Sequence, residues 1–133
     1  MKLIVCLDER MGMAFNQRRQ SRDRVLTEDL VRSVKGSRLF VMPYSVPLFA
    51  GQDVELAVSE HPMLEATDRD WCFLELCSPE TVDGIKELIV YRWNRHYPSD
   101  TRFLPDLAAF SLVSSVDFVG SSHEKITKEV WKK

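Results

Sequence analysis

The chain has 133 residues, 44% hydrophobic and 29% charged, with five glycines, six prolines and a net charge of −2. That is the size and composition of one globular domain with a sizeable core, and the balance of charge excludes a global attraction to nucleic acid or an anionic membrane. No apolar run approaches the ~18 residues of a membrane-spanning helix, and the opening Met1–Asp8 is too short and too soon charged for a secretory leader.

In chain order, Lys2–Leu7 reads as a buried strand, followed by a polar loop over Met13–Arg24 that carries Arg18, Arg19, Arg22 and Arg24. Thr27 as N-cap, with Glu28 and Asp29 behind it and Gly36 as the stop, predicts a helix over about 28–35. Arg38–Met42 predicts a second strand, ended by Pro43, and Tyr44–Phe49 one helical turn. Val54–Ser59 and Trp71–Leu76 predict two more strands, with Met63–Asp70 loop-like or weakly helical between them. Ser78-Pro79 predicts a short helix over 79–85. Glu87–Arg95 is apolar on both faces at its start, with Ile89, Tyr91 and Trp93 on one side and Leu88 and Val90 on the other, the pattern of a central strand. Phe110–Phe118 alternates with period two, predicting a half-buried antiparallel strand, and Gly120–His123 turns it back onto Ile126–Trp131. Strands alternating with short helices and closing in a hairpin make an α/β domain with a mixed sheet, spanning 1–133 without linker or repeat.

Cys6, Cys72 and Cys77 are odd in number and read as free thiols of a reducing compartment, the cytoplasm. His61, His96 and His123 are isolated, with no spacing that lets metal ligands converge.

Three pieces of the sequence are similar to the dihydrofolate reductase family. Leu3-Ile4-Val5-Cys6-Leu7-Asp8, continued by Gly12-Met13, resembles that family's first strand and the glycine of its active-site loop. Glu28-Asp29-Leu30 resembles the acidic start of its substrate-side helix, with Leu39–Met42 as the second strand. Leu88–Tyr91, followed nine residues later by Asp100-Thr101-Arg102-Phe103-Leu104-Pro105, resembles its Asp-Thr-x-Phe-Pro segment with one residue added. The resemblance implies a dihydrofolate reductase-like fold, α/β with a mixed sheet, shortened between Ser59 and Trp71, and Asp29 as the acid of the substrate cleft. An acidic side chain early in a helix is favourable in any protein, which accounts for Asp29 equally well.

The departures bear on activity. Arg22–Leu26 replaces the family's Pro-Trp pair. Met42-Pro43-Tyr44-Ser45 stands where the family has a Gly-Arg-x-Thr phosphate segment, and Leu76-Cys77-Ser78-Pro79 where paired glycines admit the nicotinamide. No cofactor is therefore expected, NADPH being the one the family implies. Arg18, Arg19, Arg22 and Arg24 are expected to grip a phosphate or carboxylate, with Tyr44, Cys77 and Tyr91 lining the cleft. The leading expectation is a domain that binds a small anionic molecule or a protein partner and is not a working dihydrofolate reductase. The alternatives are an NADPH-dependent reductase of a small heterocycle with Asp29 as proton donor, and an interaction protein forming a homodimer through an exposed strand edge. Nucleic acid, membrane and metal are not expected partners.

Overall fold

Residues 1–133 are described by a computed structural model. Its elements are β1 (Lys2–Leu7), β2 (Gly12–Phe15), β3 (Arg18–Arg19), α1 (Arg24–Ser33), β4 (Arg38–Val41), a 3₁₀ helix (Pro43–Phe49), β5 (Glu55–Val58), α2 (Pro62–Glu65), β6 (Trp71–Phe73), β7 (Glu87–Arg92), β8 (Thr101–Arg102), a 3₁₀ turn (Leu107–Ala109), β9 (Ser111–Phe118) and β10 (Ile126–Lys132). Seven strands form one sheet in the order β5-β4-β6-β1-β7-β10-β9, parallel from β5 to β7 and antiparallel from β7 to β9. β3, β2 and β8 form a small second sheet.

The central strands are apolar on both faces because each face carries its own core. Leu3, Val5 and Leu7 of β1 join Leu88 and Val90 of β7 in one cluster, closed over by Met13, Ile85, Phe103 and Phe110. Ile4 joins Ile89, Tyr91 and Trp93 in the other, closed over by Leu26 and Leu30 of α1 and by Val34 at its C-terminal cap. Only this second face has a regular helix of any length on it.

Several expectations shift. Asp23, not Thr27, caps α1: its carboxylate accepts from the N–H groups of Val25 and Leu26. The helix thus begins earlier, Thr27 lies in its first turn, and its hydroxyl donates to the Asp23 carbonyl. The expected arginine loop is a hairpin, β2–β3, turned by Asn16 and Gln17, both at positive φ (52° and 59°). Such a two-residue turn matches strand twist, but Asn-Gly announces it far better than Asn-Gln. No helix forms over 79–85. Pro79, the β-branched Thr81 and Val82, and Gly84 at φ 78° disfavour one, and Ser78 accepts from the Leu104 N–H instead of capping.

β7 is central, between β1 and β10, as its two apolar faces predict. The C-terminal hairpin forms, but β9 is exposed from Ser111 to Asp117 rather than half-buried. Val113 drops out of register as a bulge, so Leu112 turns to the face opposite Val116 and Phe118. β9 closes the sheet at one edge with no element packed over it.

Leu30 is 1% exposed and pins α1 to the sheet. Leu30→Ala is expected to lower the unfolding free energy by about 3 kcal/mol, read as a fall in urea midpoint at constant slope.

Candidate functional site

A cleft lies between α1 and the carboxyl ends of β1, β6 and β7. Its floor is apolar: Cys6 from β1, Phe73 from β6, Trp93 just past β7, Leu26 and Leu30 from α1, and Phe49 from the 3₁₀ helix. Its other wall is the run Arg19-Gln20-Ser21-Arg22-Asp23, with Thr27 and Glu75 opposite. The space is about 440 Å³ counted to its open mouth. Arg19 and Glu75 close it. The guanidinium donates to both carboxylate oxygens at 2.8 and 3.0 Å and stacks on the Tyr44 ring at 4.5 Å. The Tyr44 hydroxyl accepts from the Arg19 N–H, and Ser45 donates to Glu75 at 2.7 Å.

Gln20 is oriented unambiguously. Its amide nitrogen donates to the Asp8 carboxylate at 2.8 Å and to the Pro98 carbonyl at 3.3 Å, so its oxygen is the free end, buried and without a partner. Asp8 also accepts from the N–H groups of Arg10 and Gly12, both at 2.8 Å. Burial would raise its pKa; these donors outweigh burial and hold it below the usual carboxylate range. Gly12 is required there, since a Cβ would sit 2.6 Å from the Asp8 oxygen.

Beside the cleft, Asp23 organises a polar knot. One carboxylate oxygen accepts from the N–H groups of Val25, Leu26 and Ser121; the other accepts from the Ser122 N–H and hydroxyl and from Nδ1 of His123 at 3.0 Å. Burial opposes the charge, and the N–H donors of Ser122 and Ser121 with the His123 ring overcome it, placing the Asp23 carboxyl well below its ordinary range. His123 stacks on Trp93, centroids 4.6 Å apart. Its Nε2 meets the Ser21 and Tyr97 hydroxyls at 3.1 and 3.0 Å. A Cβ on Gly120 would lie 2.3 Å from the Asp23 carboxylate, so this turn also admits only glycine.

The expected site residues do not gather in one place. Arg19 and Arg22 line the cleft, with Tyr44 attached through Arg19; Arg22 is exposed and makes no ion pair, whereas Arg19 is held by Glu75. Arg18 is exposed on β3, and Arg24 pairs with Glu28 on the outer face of α1. The four arginines therefore do not converge on one anion. Asp29, expected in the cleft, does not line it: its carboxylate accepts from the Tyr91 hydroxyl at 2.5 Å and pairs with Lys128 at 3.0 Å and Arg32 at 3.5 Å. Tyr91 is buried beneath α1, its phenol pushed far above the ordinary range by burial and then by the Asp29 charge. Glu75, Gln20, Ser21, Asp23 and His123 were not expected in the site. The spacing of Ser21 and Asp23 from His123, about a hundred residues, hides their meeting from any local pattern.

Cys77 belongs to a different crevice, at the carboxyl ends of β4, β5 and β6, lined by Met42, His61, Met63, Leu74, Cys77 and Pro79. No lysine or arginine lines it. Two short helices begin there, the 3₁₀ helix capped by Met42 and opened by Pro43 and the single turn of α2 opened by Pro62, and the chain leaving β6 is not helical. Burial raises the thiol pKa of Cys77, that of Cys72 to about 12, and that of Cys6 further still, so none is a ready thiolate. Nowhere do three or more His, Cys, Asp or Glu side chains gather as metal ligands.

With this geometry in hand, comparison with solved structures brings up a dihydrofolate reductase from Enterococcus faecalis, complexed with NADP(H) and RAB-propyl. It superposes with a TM-score of 0.66 at 11% identity, over 98% of this chain and 94% of that one. The chain has the dihydrofolate reductase fold. The likeness expected from the three sequence pieces is thereby shown at the level of fold, with identity too low to carry activity across. No family model and no curated protein matches the sequence. No helix of this dihydrofolate reductase-like domain is long and apolar enough to cross a membrane.

Asp23 generates a testable pH dependence. Its folded pKa is depressed below the ordinary 3.8, so its contribution is complete above that value and is lost as pH falls through the folded pKa. Asp23→Asn is expected to cost roughly 2–3 kcal/mol at pH 6, with the gap to the parent narrowing below pH ~4. Urea unfolding at pH 6, 4 and 3 measures both.

Proposed function

We propose that this domain binds a small heterocyclic carboxylate in the cleft under α1 and does not work as a dihydrofolate reductase. The buried, unpartnered oxygen of Gln20 carries this reading. Buried acceptors are nearly always satisfied, and this one sits in the wall of a cleft whose floor is aromatic and aliphatic. A planar ring fits that floor, and an N–H on it meets Gln20. Arg22, unpaired at the mouth, takes the carboxylate by paired hydrogen bonds. Of the four arginines expected to grip an anion, this reading keeps Arg22 as the free one.

The crevice at β4–β6 supports the absence of ordinary NADPH binding. Dinucleotide phosphates call for helix N-termini, close backbone and cationic side chains; its lining offers no lysine or arginine, and the two short helices that begin there open on Pro43 and Pro62, which lack an N–H. Asp29, tied to Tyr91 and Lys128 outside the cleft, is poorly placed to protonate a substrate there. Three free thiols accord with a reducing compartment such as the cytoplasm.

Thermal-shift titration with a panel of heterocyclic carboxylates, and separately with NADPH, tests the reading. At about 100 Kd a binder stabilises by roughly 2.7 kcal/mol. The expected shift is lost in Gln20→Leu and Arg22→Ala and kept in Asp29→Asn. A comparable shift with NADPH, or NADPH oxidation abolished by Asp29→Asn, defeats it in favour of the reductase.

The edge strand favours a second reading, a homodimer. β9 has no partner on its outer side, and Leu112, Val113 and Val116 are 48%, 57% and 57% exposed; such an edge is a template for a second copy of the same strand. Light scattering is expected to give a dimer mass that Val113→Lys/Val116→Lys reduces to the monomer; a monomeric parent at high concentration excludes it.

A further inference from the structure

We infer that Ser21, His123 and Asp23 form a nucleophile with its base in the wall of the cleft, suited to hydrolysing a small ester that carries an anionic end. This rests on the cleft being the ligand site.

Asp23 is 4% exposed, and its carboxylate can only accept. Nδ1 of His123, 3.0 Å away, must therefore carry the ring proton, which leaves the lone pair on Nε2. The ring is 5% exposed and held flat on Trp93, so it keeps that orientation. Nε2 then accepts from two hydroxyls, those of Ser21 and Tyr97. Tyr97 alone would satisfy it; the Ser21 hydroxyl is a second donor, delivered from the lining of the cleft. A knot serving only to hold the Gly120–His123 turn on α1 needs the Asp23 contacts and has no use for this one. Nucleophile, base and orienting acid thus stand in the relative order that activates serine. The backbone N–H groups of Ser21 and Arg22 donate to no group in the protein, which leaves them available to an oxyanion formed beside the nucleophile.

The reaction balances without any co-reactant but water. Ser21 Oγ bonds to the acyl carbon while its proton passes to Nε2; the carbon–oxygen bond to the alcohol breaks, and the imidazolium returns the proton to the departing oxygen. Water then attacks the acyl-serine, losing its proton to Nε2, and the acid leaves as Ser21 regains its hydrogen. An ester with a carboxylate on its far end would be oriented by Arg22 at the mouth.

A fluorophosphonate probe tests this on the full chain, read by intact mass and peptide mapping. One phosphonyl adduct on Ser21 is expected, forming on the order of 100-fold faster than any reaction of Ser21→Ala, and faster still in Tyr97→Phe, where the lone pair is no longer shared. No adduct on folded protein, an adduct elsewhere, or one that persists in Ser21→Ala overturns the inference. The unsubstituted chain is titrated in parallel with the heterocyclic carboxylates. Stabilisation without labelling therefore rejects the nucleophile alone, and labelling without stabilisation upholds it while rejecting the carboxylate ligand.

Discussion

The Asp23 carboxylate is the point on which this molecule turns. It ends one segment and begins the next: as cap it fixes where α1 starts, and as acceptor it fixes where the β9–β10 turn lands. These partners are about a hundred residues apart in the chain. A buried carboxylate is unfavourable unless its lone pairs are filled; here they are filled by two backbone segments that then cannot move independently. Gly120 follows from the same constraint, because any side chain there would enter the carboxylate. The helix so placed supplies one wall of the cleft, and the turn supplies the imidazole behind it.

Charge in the cleft is nearly balanced within the protein itself. Glu75 is only 8% exposed, and it consumes the hydrogen-bonding capacity of Arg19 on its polar side while Tyr44 covers the ring-like face of the guanidinium. Asp29 likewise absorbs Lys128 and Arg32 on the outer side of α1. Among the side chains that line the cleft, Arg22 makes no ion pair and the Gln20 amide oxygen has no partner. On the proposed reading those two groups, rather than the count of arginines in the loop, set what a ligand must offer.

The fold was legible because its central strands obey a two-sided rule visible in sequence. Leu88 and Val90 against Ile89, Tyr91 and Trp93 announce a strand buried on both faces, and the sheet places it between β1 and β10. Alternation in Phe110–Phe118 identified a strand but not its exposure, since periodicity tells which residues share a face and not whether anything covers it. The bulge at Val113 then reversed Leu112. The cap of α1 was misplaced because Thr27 and Asp23 are both good caps, and the contacts that decide for Asp23 come from the far end of the chain. The cleft was the least legible part for the same reason. Gln20, Ser21 and Glu75 are ordinary polar residues until the fold buries them against one another.

A scaffold held by two-sided strands can change its loops without losing its sheet, and here both the cleft and the crevice lie at the carboxyl ends of its parallel strands. The crevice of β4–β6 is furnished with methionine, proline and a cysteine, so it offers contacts to apolar groups and little to phosphates. The cleft under α1 keeps its aromatic floor and has its opening crossed by the Arg19–Glu75 pair. The Arg19–Glu75 pair is what narrows that opening. Arg19 is 20% exposed, and its strand β3 is two residues long and joined to β2 over only two residue pairs, so its pairing with Glu75 and Tyr44 rather than the sheet holds it across the cleft. With Arg19 committed to Glu75, Arg22 is the lining guanidinium left without an ion pair, so the charge that the cleft can offer outward sits on a residue the sheet does not hold.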